Sequence, residues 1–210
     1  MLEDTGERVI PEYMTEDNAL WLEHLARYHF ALPYAHGRVL DIACGSGYGT
    51  KLTIKRRKKE VTEAVGIDLN QETVEYARGS HYHPNVAYRT GDLRDASLPE
   101  KLGTFDTVLS FETIEHLPDD REGLARLSDL TKPGGTLIVS TPFGAGREEP
   151  CGSPFHYFQL TESEFISLFQ EEQFAFSDVR FYYQNGVSFE AEKREGWKYP
   201  IGIAVCQKQE

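Results

Sequence analysis

From Val39 to Gly49 the chain reads Val-Leu-Asp-Ile-Ala-Cys-Gly-Ser-Gly-Tyr-Gly, an apolar run holding one acid and then glycine at alternate positions. Few folds accept that order. The apolar run predicts a buried strand. The glycines predict a loop whose backbone takes positive φ and lets a ligand approach without meeting Cβ atoms. The residues that follow predict a helix, whose N-terminus and the loop N–H groups favour the anionic end of a ligand. Asp41, a carboxylate at the strand tip, suits a ligand that also carries positive charge. A nucleoside-like molecule with one anionic and one cationic group is implied.

The rest of the chain continues the alternation of strand and helix. Asn18 or Asp17 can cap a helix on which Trp21, Leu25, Tyr28 and Leu32 form one apolar stripe, ended by Pro33. Strands are expected near 38–43, 63–69, 85–90 and 105–111. Helices are expected near 48–58, after Asn70, and through Leu124, Leu127 and Leu130. A long irregular segment, Phe143 to Gln159, reads as a binding loop or lid. Thr161 and Glu164 then form a capping box for a helix that buries Phe165, Leu168 and Phe169. The last two strands read as Phe176–Tyr183 and Ile201–Gln207. This pattern calls for a mostly parallel sheet covered on both faces.

The glycine loop resembles motif I of the class I S-adenosylmethionine-dependent methyltransferases, and four further segments extend the likeness in order. Val65-Gly66-Ile67-Asp68-Leu69 is similar to the second strand, with Asp68 about 20 residues past the loop, where a ribose-binding acid stands. Gly91-Asp92-Leu93 is similar to the end of strand three, Phe105–Ser110 to strand four, and Pro133–Pro142 to the turn and strand five. The resemblance implies a Rossmann-like α/β fold, with a seven-stranded mostly parallel sheet, helices on both faces and the last strand antiparallel between strands five and six. It implies S-adenosyl-L-methionine as cofactor. Ala43 and Gly45 would then meet the methionyl part through backbone, with Asp41 oriented toward its sulfonium and amino group. Asp68 would accept the ribose hydroxyls, and Leu69 would pack on the adenine. Asp92 would read the adenine amino group and the Leu93 N–H a ring nitrogen. The Phe111 carbonyl would receive the methionyl amino group.

Composition narrows the setting. With 210 residues, one domain at 37–210 is expected, preceded by an N-terminal segment and helix at 1–36. No run suits a bilayer, and the N-terminus lacks a basic-then-apolar leader. Cys44, Cys151 and Cys206 lack CxxC spacing, as in a reducing cytoplasm. A formal charge of −12 disfavours nucleic acid as a partner. The basic run Lys55–Lys59 is expected to end a helix on the side away from the strand tips, as a solvated face. The expected partner is a small-molecule methyl acceptor, with no membrane; a homodimer stays open.

Proton handling points to Glu112-Thr113-Ile114-Glu115-His116, expected as a helical turn with residues 112, 115 and 116 on one face beside the strand-four tip. His156 lies in the long loop. His116 or His156 could act as general base, His116 and Glu115 could simply brace the following loop, or Glu112, Glu115, His116 and His156 could hold a divalent metal. The last reading has a likeness in small-RNA 3′-end and ubiquinone-pathway methyltransferases. The segment Thr5–Glu12 resembles that of bacterial glycan-pathway methyltransferases, where it would fold as a lid with Arg8 offering charge. That likeness makes a sugar or sugar-nucleotide hydroxyl the leading acceptor. A metal-assisted RNA 3′-end methyltransferase and a non-catalytic nucleotide-binding protein stand as alternatives. A nicotinamide oxidoreductase would want a third glycine at Thr50 and a Tyr-x-x-x-Lys, and the chain has neither.

Overall fold

The computed structural model describes residues 2, 6 and 8–210; Thr5 and Glu7 of the N-terminal segment lie outside them. The strands are β1 (Gly37–Ile42), β2 (Val61–Asp68), β3 (Val86–Thr90), β4 (Phe105–Phe111), β5 (Thr131–Pro142), β6 (Phe176–Asn185), β7 (Ser188–Glu190) and β8 (Ile201–Lys208). They form one sheet in the order β3-β2-β1-β4-β5-β8-β6-β7. Pairings from β3 through β5 are parallel, and β8 runs antiparallel between β5 and β6. The sheet therefore has one strand more than the seven expected. The extra one, β7, turns back on β6 through Asn185↔Ser188. The two-residue connection is Gly186-Val187, and Gly186 takes the positive φ of +57 that such a turn requires at its first position.

Among the described residues, six α-helices complete the fold: α1 (Ala19–Ala31), α2 (Tyr48–Arg56), α3 (Gln71–Ser80), α4 (Leu98–Leu102), α5 (Asp120–Leu130) and α6 (Glu162–Phe169). The caps are local and sequence-encoded. The Asn18 side chain accepts from Trp21 N–H and Asn70 from Thr73 N–H, and Thr161 with Glu164 closes the capping box. The sheet's two faces carry two cores, because successive side chains on a strand point to opposite sides. Leu40 and Ile42 pack with Leu124, Leu127, Phe165 and Phe169 of α5 and α6. Val39 packs with Tyr28, Ala31, Tyr48 and Ile54 of α1 and α2. The same alternation turns Asp41 toward α1. Each fully buried Leu or Phe contributes about 1.5–3 kcal/mol, so both helical layers are held firmly against the strands.

Lys55 and Arg56 end α2, and Lys55, Arg56, Lys58 and Lys59 are exposed, with Arg57 bonded to the Ala35 carbonyl. They precede β2, at the end of the sheet opposite the strand tips. The loop after β5 is tied down. Tyr157 N–H donates to the Glu115 carbonyl at 2.8 Å, and Arg147 pairs with buried Asp120 at 2.6 Å. Among the described residues, no helix is long and apolar enough to cross a membrane.

Candidate active site

The strand tips of β1, β2 and β4 converge on the glycine loop. Ala43 takes φ +56 and is exposed, and Gly45 takes φ +55 with open space where its Cβ would stand. Such a position leaves the backbone bare to a ligand. Gly49 serves a different need. A Cβ there would lie 1.9 Å from the Tyr28 ring, so this glycine admits an aromatic side chain and not a ligand. Cys44 N–H donates to the Ile67 carbonyl, and Gly45 N–H donates to Asp68 Oδ2 at 2.9 Å. The other Asp68 oxygen accepts from Asn70 N–H at 2.9 Å. The β2-tip acid thus ties the loop to the start of α3, and each carboxylate oxygen keeps lone-pair capacity for a diol. Beside it, the apolar side chain of Leu69 is 63% exposed.

Asp41 is held from beneath the loop. Its carboxylate is buried and accepts from the Tyr28 hydroxyl at 3.1 and 3.2 Å and from Thr50 Oγ1 at 2.6 Å. It therefore stands beneath the loop as a held charge, not on the loop surface. Burial pushes its carboxyl up to about 7, against the two donated hydrogen bonds, which pull the other way. Among the described residues no cation pairs with it. A buried carboxylate flanked by hydroxyls and a second acid, Asp68, fits a ligand that brings the missing positive charge.

Asp92 is also engaged more fully than expected. Arg94 grips both of its oxygens, with Nη2 at 2.7 Å and Nε at 3.0 Å, and holds the carboxyl below its ordinary range. For Asp92 to receive an adenine amine, Arg94 must give up part of this fork. The Leu93 side chain is buried in the core beside Leu98 and Leu117. Phe111 ends β4, its carbonyl already accepting from Thr113 Oγ1 at 3.2 Å while its ring meets Tyr28 edge-on at 5.1 Å.

The acceptor side differs from the single helical turn expected. Only Ile114–His116 is helical, as a 3-10 turn, and Glu112 takes a left-handed φ of +49. The reason lies in its partners. Its N–H donates to the Ser140 carbonyl, and its carboxylate pairs with buried Arg27 of α1 at 2.6 Å and accepts from Ser140 Oγ at 3.0 Å. Glu112 thereby commits its carboxylate to Arg27 and Ser140 and stays outside the group formed by Glu115, His116 and His156. Glu115 points inward; one oxygen accepts from Thr141 Oγ1 at 2.9 Å, and the other has no partner among the described residues. Burial and the nearby Glu112 raise its carboxyl well above the ordinary range. His116 Nδ1 lies 3.0 Å from the Phe155 carbonyl, so it carries the proton and donates, leaving Nε2 with its lone pair. His156 meets His116 edge-on at 4.7 Å between ring centres, and its Nδ1 contacts Gln159 Nε2 at 3.2 Å. Glu115, His116 and His156 each bring one candidate ligand atom within 4.8 Å of the others.

Sequence reasoning missed Arg27, Thr50 and Ser140, and read Tyr28 as part of an apolar stripe. The available signal was an arginine on the buried side of α1, where charge is rare unless paired. The N-terminal segment lies against the glycine loop: Val9 and Ile10 are buried, and Ser46 Oγ donates to the Val9 carbonyl at 2.8 Å. Glu12 joins Tyr76 at 2.9 Å and His81 at 3.4 Å.

Comparison with known proteins places this geometry in context. The family described as a methyltransferase domain matches residues 39–135. A probable S-adenosylmethionine-dependent methyltransferase of Mycolicibacterium smegmatis is 32% identical over 197 residues, covering 91% of this chain and 73% of the relative. A ubiquinone biosynthesis O-methyltransferase of Xanthomonas campestris pv. campestris is 37% identical over 126 residues, covering 59% of this chain and 49% of the relative. Among solved structures, a SAM-dependent methyltransferase from Archaeoglobus fulgidus superposes with a TM-score of 0.64 at 17% identity, covering 91% of this chain and 95% of that one. That likeness shows the fold.

Proposed function

Given that this chain belongs to the class I S-adenosylmethionine-dependent methyltransferases, we propose that it methylates an oxygen or nitrogen of a small metabolite, with a sugar or sugar-nucleotide hydroxyl as the leading acceptor, in the cytoplasm. The observation that carries the oxygen reading is the contact of His116 Nδ1 with the Phe155 carbonyl. With Nδ1 donating to the Phe155 carbonyl, Nε2 is free to take a proton at the β4 tip. Exposed Phe155 and Tyr157 flank it and offer apolar and aromatic surface to an acceptor. The name of the Xanthomonas relative, an O-methyltransferase, agrees with this reading.

When bound, S-adenosylmethionine supplies a methyl group already activated on a sulfonium, so the protein's task is placement. Ala43 and Gly45 leave room for the methionyl part and the Phe111 carbonyl receives its amino group. Asp68 accepts the ribose hydroxyls and Leu69 covers the adenine. Asp92 reads the adenine amine once Arg94 yields, beside the Leu93 N–H. In-line alignment of this kind contributes about 7–11 kcal/mol. His116 Nε2 would take the acceptor hydroxyl proton as the methyl group passes to that oxygen and its carbon–sulfur bond breaks, leaving the thioether S-adenosylhomocysteine; His156 is the second candidate base. The described part of the N-terminal segment would act as a lid, a reading supported by the burial of Val9 and Ile10 and the Ser46 bond to Val9, with Arg8 offering charge to the methionyl carboxylate or to an acidic substrate.

A second reading is supported by the Glu115–His116–His156 group. The unpartnered buried oxygen of Glu115 suits a cation, and a histidine that donates its other N–H to a backbone carbonyl is the usual supporting arrangement of a metal ligand. A divalent metal held there would acidify an acceptor hydroxyl. It would favour the RNA 3′-end alternative only if RNA bound, and the net charge of −12 speaks against that. The test is an acceptor screen that follows S-adenosylhomocysteine release and product mass, with sugar nucleotides, small phenols, amines and short RNA, each with and without EDTA. A methylated small hydroxyl compound or amine is expected. Methylation of RNA alone would overturn the small-metabolite reading, and activity abolished by EDTA and restored by Mn²⁺ would establish the metal.

A further inference from the structure

Tyr28 of α1 sits at the centre of the contacts that hold Asp41. Its hydroxyl lies 3.2 and 3.1 Å from the two Asp41 oxygens, and Thr50 Oγ1 reaches Oδ2 at 2.6 Å. Its ring is fixed on three sides. Tyr48 meets it edge-on at 5.4 Å, Phe111 meets it at 5.1 Å, and Gly49 lacks the Cβ that would overlap it. A side chain so confined has little rotamer freedom, and its hydroxyl has one address. The third glycine of the loop therefore exists to admit Tyr28, which makes a helix outside the nucleotide-binding unit part of that unit's design.

We propose that Tyr28 is a positioning residue of the cofactor site, its hydroxyl holding Asp41 against Thr50 so that the strand-tip carboxylate keeps one orientation toward a cationic ligand. The proposal rests on the reading that Asp41 answers the positive methionyl end of S-adenosylmethionine. The groups that face Asp41 are Tyr28 from α1, Cys44 from the loop, Tyr48 and Thr50 from α2, Asp68 from β2 and Tyr88 from β3. None is a cation, and Asp68 adds like charge. The donated hydrogen bonds are what this pocket offers to favour the ionised form of Asp41 against the cost of burial. A donor to the charged form favours that form, so loss of the Tyr28 hydroxyl raises the pH at which Asp41 gives up its proton.

The test is calorimetric titration of S-adenosylmethionine into the full chain, its Tyr28→Phe variant and its Asp41→Asn variant, between about pH 6 and 8.5. Phenylalanine keeps the ring over Gly49, and the fold of each variant is checked by circular dichroism. Tyr28→Phe is expected to weaken binding about tenfold near pH 7 and to move the midpoint of the affinity–pH curve upward. Asp41→Asn is expected to weaken binding and flatten the curve. Uniform weakening by Tyr28→Phe at every pH, or none, with Asp41→Asn still impaired, overturns the role of Tyr28. Unimpaired binding by Asp41→Asn overturns instead the reading of Asp41 on which the proposal rests. Should Tyr28→Phe not fold, Thr50→Val removes the second donor, and an unmoved midpoint there overturns the proposal equally.

Discussion

Replacing His116 with alanine is expected to lower turnover about 10²–10⁴-fold with a hydroxyl acceptor, while S-adenosylmethionine affinity stays within about a factor of three. The loss has two sources. The imidazole supplies the proton acceptor, and its Nδ1 hydrogen bond holds the loop at Phe155. Asparagine separates them, since its amide can still donate to that carbonyl but takes no proton at neutral pH. His116→Asn is therefore expected to be nearly as slow as His116→Ala. Rates measured as S-adenosylhomocysteine release, beside calorimetric cofactor binding, check this. If His116→Asn retained most of the activity, His116 would be a brace for the loop and proton removal would lie with His156 or with solvent.

Protein without cofactor is expected to lose stability as pH rises from about 4 to about 7, in a component that belongs to Asp41. Its carboxyl is pushed from 3.8 up to about 7 by burial, with Asp68 adding like charge and the Thr50 and Tyr28 hydrogen bonds opposing. The folded state thus binds this proton more tightly than the unfolded chain does. The stabilisation is complete below the unfolded value and is lost as pH climbs through the folded one. The size is about 4 kcal/mol. Asp92, Asp106 and Glu164 shift the other way, because hydrogen bonds and neighbouring cations hold them below their ordinary range. Those carboxylates are shared by wild type and Asp41→Asn, so the difference between the two isolates Asp41. Denaturant unfolding at stepped pH should show the variant gaining on wild type through this window. A constant difference would mean that Asp41 is already ionised in the folded protein.

The parts of the site legible in the sequence are those built from consecutive residues. Backbone conformation decides the loop from Asp41 to Gly49, and glycine spacing reports it directly. Asp68 and Leu69 follow because a strand tip fixes its own next residues. What depended on packing across the chain was hidden. Arg27 and Glu112 are far apart in sequence, yet their ion pair draws Glu112 into a left-handed conformation and breaks the helical face it was expected to share. Asp92 was legible as a turn acid, but the Arg94 fork depends on a side-chain rotamer that no spacing encodes. The resemblance implies seven strands, and the eighth, β7, is added by the short turn at Gly186-Val187 that returns the chain against β6. Tyr28 was legible as a core residue, and its hydroxyl's partner emerged only once β1 and α1 were placed face to face.

The most direct test of the whole account is titration of S-adenosylmethionine into the folded wild-type protein, with Asp68→Ala as the matched control. Asp68 both braces the Gly45 N–H at 2.9 Å and is assigned the ribose hydroxyls. Binding at micromolar affinity to one site is expected for wild type, with the control weaker by about 100-fold or more, since a charged acceptor of two hydroxyls is removed. No binding to a demonstrably folded wild-type protein, or equal binding by Asp68→Ala, would contradict the cofactor site described for these strand tips.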